Sequence, residues 1–124
     1  MKILDSNILI YAPQPIYAYL RPLLVDTSCL VSDFTRLEVL GYTGFSEEEK
    51  KWFESVFRQL TRIPVNEDIL NQAIVLRQRK RMSPGDAIIA ATALLYGFEL
   101  YTRNIRDFSH IPELVLVNPV DNPI

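Results

Sequence analysis

Short runs of almost wholly apolar residues recur along this chain, and a stretch with helical spacing follows most of them. "KIL" comes first, then "CLVSDF" from Cys29, "TRIPV" from Thr61, "ELYT" from Glu99 and "LVLVN" from Leu114. Strands apolar on both faces belong in a parallel sheet covered on both sides by helices. The spacing therefore predicts an α/β fold in three α/β/α layers, Rossmann-like, with a short, mainly parallel central sheet and the order βαβααβααββ. The chain's 124 residues suit one domain, residues 1–124.

The helical stretches carry their own punctuation. Asn7 to Ala12 forms a brief helix that Pro13 and Pro15 end. Ile16 to Leu24 has helical spacing. Ser32 or Asp33 can cap "FTRLEVLGYT", which stops between Gly41 and Gly44. Ser46 and Glu49 make a capping box before a stripe of Trp52, Phe53, Val56, Phe57 and Leu60. Asn66 caps the next helix. Ser83 caps the one after, with Pro84 at its first position and Gly97 at its close. "RNIRDFSHIPE" is expected to be a loop, and the closing "NPVDNPI" an extended tail.

Several function classes drop out. The single Cys29 excludes an intrachain disulfide, suits a reducing compartment, and in its apolar run is a core residue. One histidine, His110, excludes a His-rich metal site. "MKILD" lacks the basic and long apolar regions of a signal peptide. No run reaches the ~18 apolar residues of a membrane helix. The expectation is a cytoplasmic protein without a membrane partner. The net charge of −2 does not advertise a nucleic-acid binder, but an acidic metal site would itself lower the total.

Parallel strands share a direction, so their carboxyl ends line one edge, where α/β sheets bind ligands. Asp5 ends the first strand. Glu38 lies in the first turns of the helix after the second. Asp86 sits in the first turn after Ser83, and Asn104 and Asp107 follow "ELYT". Asp5 could equally cap the helix after it, and Asp86 could complete a capping box. Glu38 is harder to dismiss, because Leu37, Val39 and Leu40 surround it. Carboxylates converging without a Lys or Arg partner would raise one another's pKa and weaken the fold. A divalent cation removes that problem, and all-oxygen ligands suit Mg²⁺ or Mn²⁺. Such ions act mainly on phosphate esters, which points to phosphodiester hydrolysis.

These pieces resemble a known family. "ILDSNILIY" with Asp5, "TRLEVLGY" with Glu38, "GDAIIAATAL" with Asp86 and "LYTRNIRDFSHIPELVLVNP" with Asn104 and Asp107 are similar, in order and spacing, to the PIN domain. More narrowly they resemble a VapC-type toxin ribonuclease. The resemblance implies a PIN-like fold and a Mg²⁺- or Mn²⁺-dependent endoribonuclease acting on structured RNA, a tRNA or ribosomal RNA loop. It implies Asp5, Glu38 and Asp86 as metal ligands, a cognate antitoxin as partner, and a homodimer. Family members often carry a further acid in the closing loop. Here an amide, Asn104, comes first and the acid falls at Asp107. Thr102 and Ser6 are candidates to hydrogen-bond the ligating carboxylates.

Arg103 and Arg106 flank Asn104, and Arg77 and Arg81 belong to "RQRKR". All four could grip RNA phosphates, although basic residues at a helix end also suit its dipole. A haloacid-dehalogenase-type phosphatase needs a second Asp two residues after the first, where this chain has Asn7. A receiver domain needs a Lys where this chain has Arg103. The remaining alternative is a PIN-like binding module with little or no nuclease activity.

Overall fold

Strand β1, Lys2–Leu4, occupies the centre of the sheet, and its Ile3 and Leu4 are fully buried. The computed structural model describes residues 1–123. The chain continues through α1 (Ser6–Tyr11), a 3₁₀ segment (Pro15–Leu24), β2 (Cys29–Ser32), α2 (Asp33–Leu40) and α3 (Glu47–Gln59). It goes on through β3 (Thr61–Ile63), α4 (Glu67–Arg79), α5 (Pro84–Tyr96), β4 (Glu99–Tyr101), α6 (Ile105–Phe108) and β5 (Leu116–Val117). The strands lie in the order β3-β2-β1-β4-β5, and every pairing is parallel. Leu4 pairs with Tyr101 and Ser32 with Ile63, so the carboxyl ends form one edge.

Two apolar cores cover the two faces. Ile3, Leu30 and Leu100 face α4, α5 and α6 with Ile69, Leu76, Ile89 and Phe108. Leu4, Val31 and Tyr101 face α1, α2 and α3 with Ile8, Val39 and Phe53. The α/β expectation holds. The connections from β1 run first to β2 and β3, then back to β4 on the other flank of β1. That reversal makes β1/β4 the switch point of the sheet, where a crevice opens.

The caps follow the sequence. Ser32 Oγ accepts from Phe34 N, Ser46 and Glu49 form the complete capping box, and Asn66 Oδ1 accepts from Ile69 N. Gly97 adopts the left-handed conformation that ends α5, at φ 69°. Cys29 is buried and free.

Three expectations need correction. Ile16–Leu24 is 3₁₀ rather than α: Pro22 lies inside it and Tyr17 leaves the helical region, which breaks the regular ladder. The loop after β4 contains α6, because Phe108 is driven into the core and curls Ile105–Phe108 into a turn. The order therefore places a helix between the last two strands. The tail is not extended as far as Asp121. Asn118 Oδ1 accepts from Val120 N and Asp121 N, Tyr19 donates to Val120 O, and Val120 is buried. Ile124 lies outside the described residues.

Phe108, with 0% exposure, anchors the segment that carries Asn104 and Asp107. Phe108→Ala is expected to lower stability by about 3–5 kcal/mol. A fall in the urea midpoint with an unchanged slope checks this.

Candidate active site

Asp5 follows β1 directly, and Thr102 follows β4. They meet at the switch point because their strands are neighbours. Asp5 is 5% exposed and Thr102 fully buried. Burying a carboxylate costs free energy unless its oxygens are satisfied. Here Ser6 N donates to Oδ1 at 2.8 Å, Thr102 Oγ1 to Oδ2 at 2.9 Å, and Asn7 Nδ2 to Oδ2 at 3.3 Å. Asn7 Nδ2 also reaches Thr102 Oγ1 at 3.3 Å, its Oδ1 accepts from Arg103 N at 3.2 Å, and Thr102 Oγ1 accepts from Asn104 N at 3.0 Å. Asp5 thus caps α1 and belongs to a crevice network as well. Ser6 contributes its backbone rather than its hydroxyl. Asn7 is the member that sequence reasoning missed. Its place two residues after the acid in "DSN" was the available signal.

Asp86 and Glu38 come together through Gly85. A Cβ at Gly85 would lie 3.0 Å from Glu38 Oε2 and 2.9 Å from Phe34 Cε1. A side chain there would force the Phe34 ring and the Glu38 carboxylate to shift, so the glycine favours this close approach of α5 to α2. Ser83 Oγ accepts from Asp86 N at 3.1 Å, which caps α5. The return bond of a capping box, from Ser83 N to the Asp86 carboxylate, is not formed, unlike at Ser46 and Glu49. Glu38 keeps solvent contact as a residue while its carboxylate abuts Gly85.

All three carboxyls are pushed above the usual range. Burial is the largest cause for Asp5, opposed by the bonds from Thr102 and Ser6, with repulsion from Asp107 added. Burial also leads for Glu38, followed by repulsion from Asp5 and Asp86. For Asp86, burial is followed by repulsion from Asp5, with Ser83 opposing and Asp107 adding. The cluster is therefore one electrostatic unit that includes Asp107. Among the described residues, none of the four carboxylates forms an ion pair. No three of the described His, Cys, Asp or Glu side chains stand close enough to grip one ion as they are placed. The close convergence that the sequence predicts is therefore not present in these side-chain placements, as mutual repulsion of uncompensated carboxylates disfavours it. Asn104 is exposed and reaches the network through its backbone N–H.

The candidate phosphate-gripping arginines divide. The Arg103 guanidinium lies 5.0 Å from the centre of the Tyr11 ring and pairs with Asp121 at 3.3 Å. Arg77 Nε donates to Met82 O at 3.0 Å, which ties α4 to the loop before α5. Arg81 and Arg106 are exposed, and neither side chain is in an ion pair or hydrogen bond among the described residues.

Comparison with known proteins gives a consistent result. A family model described as PIN domain matches residues 2–114. The chain is 31% identical over 123 residues to Ribonuclease VapC19 of Mycobacterium tuberculosis, covering 92% of this chain and 97% of that protein. It is 30% identical over 114 residues to Ribonuclease VapC1 of Methanocaldococcus jannaschii, covering 76% and 84%. A toxin-antitoxin complex from Klebsiella pneumoniae contains a chain with a TM-score of 0.79 and 30% identity, covering 96% of this chain and 98% of that one.

Raised carboxyl pKa values mean that the folded chain carries these charges less willingly than the unfolded one. The penalty is absent below about pH 4 and grows as pH rises through the folded-state values. In chelator-treated buffer at pH 7, Glu38→Gln is expected to raise Tm by roughly 1–4 °C, a gain that vanishes at acid pH. Thermal melts across pH check it.

Proposed function

The chain belongs to the PIN-domain family, in its VapC branch, and from that premise we propose that it is a Mg²⁺- or Mn²⁺-dependent endoribonuclease. It hydrolyses phosphodiester bonds of structured RNA, a tRNA or ribosomal RNA loop, as the toxin of a toxin–antitoxin pair. The observation that carries this reading is the set of carboxylates gathered at the switch point, each raised in pKa by burial and by its acidic neighbours and none in an ion pair among the described residues. Such an arrangement is costly to the fold and is compensated by a hard divalent cation.

The residues fit that ion in donor chemistry: carboxylate oxygens with no His or Cys among them. Asp5, Glu38 and Asp86 would hold it. Asp107 is the better fourth acid, since it repels both Asp5 and Asp86. Asn104 would hold water or substrate. Glu38 is exposed as a residue, and its carboxylate, beside Gly85, forms no ion pair among the described residues. A bound Mg²⁺ supplies Lewis-acid polarisation of the phosphoryl oxygen and a more acidic water. The chain's own part is orientation. Thr102 and Asn7 hold Oδ2 of Asp5, and Ser6 N holds Oδ1, so Asp5 cannot swing away. In the hydrolysis, water adds to phosphorus, one ester P–O bond breaks, and the departing oxygen gains a proton.

Two partners follow from the same premise. One is a cognate antitoxin, as in the Klebsiella complex. The other is a second copy of the chain, for which the exposed Leu70 and Ile74, beside a groove of about 590 Å³ between α4 and α5, offer apolar surface. No described helix is long and apolar enough to cross a membrane. The cytoplasm is the compartment such a toxin requires.

Incubation with RNA in Mg²⁺ or Mn²⁺ is expected to give cleavage that a chelator stops. Asp5→Asn is expected to reduce it at least about 100-fold, the scale of losing one electrostatic stabiliser of a transition state. The variant should stay folded with a modestly lower melting temperature, because its amide NH2 must face one of the donors that Asp5 accepts from. Retained cleavage by that variant would falsify the assignment. RNA binding without cleavage by the native chain would favour the binding module instead.

A further inference from the structure

Beside the acid cluster, between the end of α4 and α6, lies a second depression of about 340 Å³. Its lining includes Asp86 and Asp107, so it is continuous with the candidate site. It also includes Lys80, Arg81, Arg106 and His110. Three cationic side chains therefore stand at the border of a carboxylate cluster. Opposite charges so placed usually pair. Here none of Lys80, Arg81 or Arg106 makes an ion pair or a side-chain hydrogen bond among the described residues. Lys80 ends α4 in extended backbone, at φ −156° and ψ 146°, which carries Lys80 and Arg81 off the helix toward the loop before α5.

The charge balance gives these groups a task. The chain has a net charge of −2, and its candidate site gathers acids. A cation held there would neutralise only the reacting phosphate. It does nothing for the next phosphate along the strand, which meets repulsion unless protein cations receive it. The other basic candidates are engaged, Arg77 with Met82 O and Arg103 with Tyr11 and Asp121.

We propose that this depression is a phosphate subsite in which Lys80, Arg81 and Arg106 grip the RNA backbone phosphate next to the one being cleaved. It rests on the nuclease reading and deepens it. The strand then runs across the α4–α6 side of the carboxylates rather than over Arg103.

The test uses the full chain carrying Asp5→Asn, so that RNA survives the measurement. Binding of a short fluorescein-labelled single-stranded oligoribonucleotide of mixed sequence is followed by anisotropy across KCl concentrations at fixed Mg²⁺. Adding Arg81→Ala or Arg106→Ala is expected to weaken binding about fivefold and to lower the salt slope by about 0.7 each. Arg106→Lys should recover most of both. Lys50→Ala, on α3 against the other face of the sheet, should change neither. An unchanged slope in the Arg81 and Arg106 variants overturns the subsite, whether affinity holds or falls. Absence of RNA binding by the Asp5→Asn parent overturns it as well. Native protein that cleaves RNA while these slopes stay put defeats only the subsite, and native protein that never cleaves RNA defeats the nuclease reading beneath it.

Discussion

Carboxylates gathered along the seam between β1 and β4 repel one another, and the rest of the fold is what holds them on one edge. Asp5 is the most constrained. It sits at the end of the central strand and takes three hydrogen bonds from Ser6, Asn7 and Thr102. Asp86 arrives on α5, held close to α2 by the bare backbone of Gly85. The free energy opposing this arrangement is supplied elsewhere, by the two apolar cores on the faces of the sheet. A fold that carries uncompensated charge at one edge and dense packing at its centre has the distribution expected when local cost is tolerated for chemistry.

The switch point explains why two cores matter. The chain lays β2 and β3 on one flank of β1 under one set of helices, then returns to β4 on the other flank under the opposite set. The helices diverge at the seam and leave the crevice open there. Asp5 and Thr102 belong to its floor, Glu38 comes from one layer, and Asp86 and Asp107 come from the other.

Much of this was legible in the sequence, for identifiable reasons. Strands buried on both faces leave continuous apolar runs, and Ile3-Leu4 and Leu30-Val31 are such runs. Caps leave a polar residue at a fixed offset, so Ser46, Asn66 and Ser83 could be placed. Asp5, Glu38 and Asp86 could be singled out as candidates because parallel topology sends strand ends to one edge. What was missed depends on tertiary contact. Phe108 makes α6 by docking in the core, and Pro22 and Tyr17 spoil the helix that the spacing of Ile16–Leu24 suggested. Asn7 is polar in a short helix, and only the arrival of Thr102 gives its side chain a task. Ligand spacing was beyond the sequence as well. Topology puts acids on one edge, but side-chain rotation and mutual repulsion decide how close they stand.

The hydrogen bond between Thr102 and Asp5 spans 97 positions of the chain. A ribosome adds about 5–20 residues each second, so the first partner waits roughly 5–20 s for the second to be made. Until β4 slides in beside β1, the crevice has no far wall and Asp5 no clamp. The crevice is thus assembled only after Thr102 has left the ribosome, however early its first carboxylate emerges.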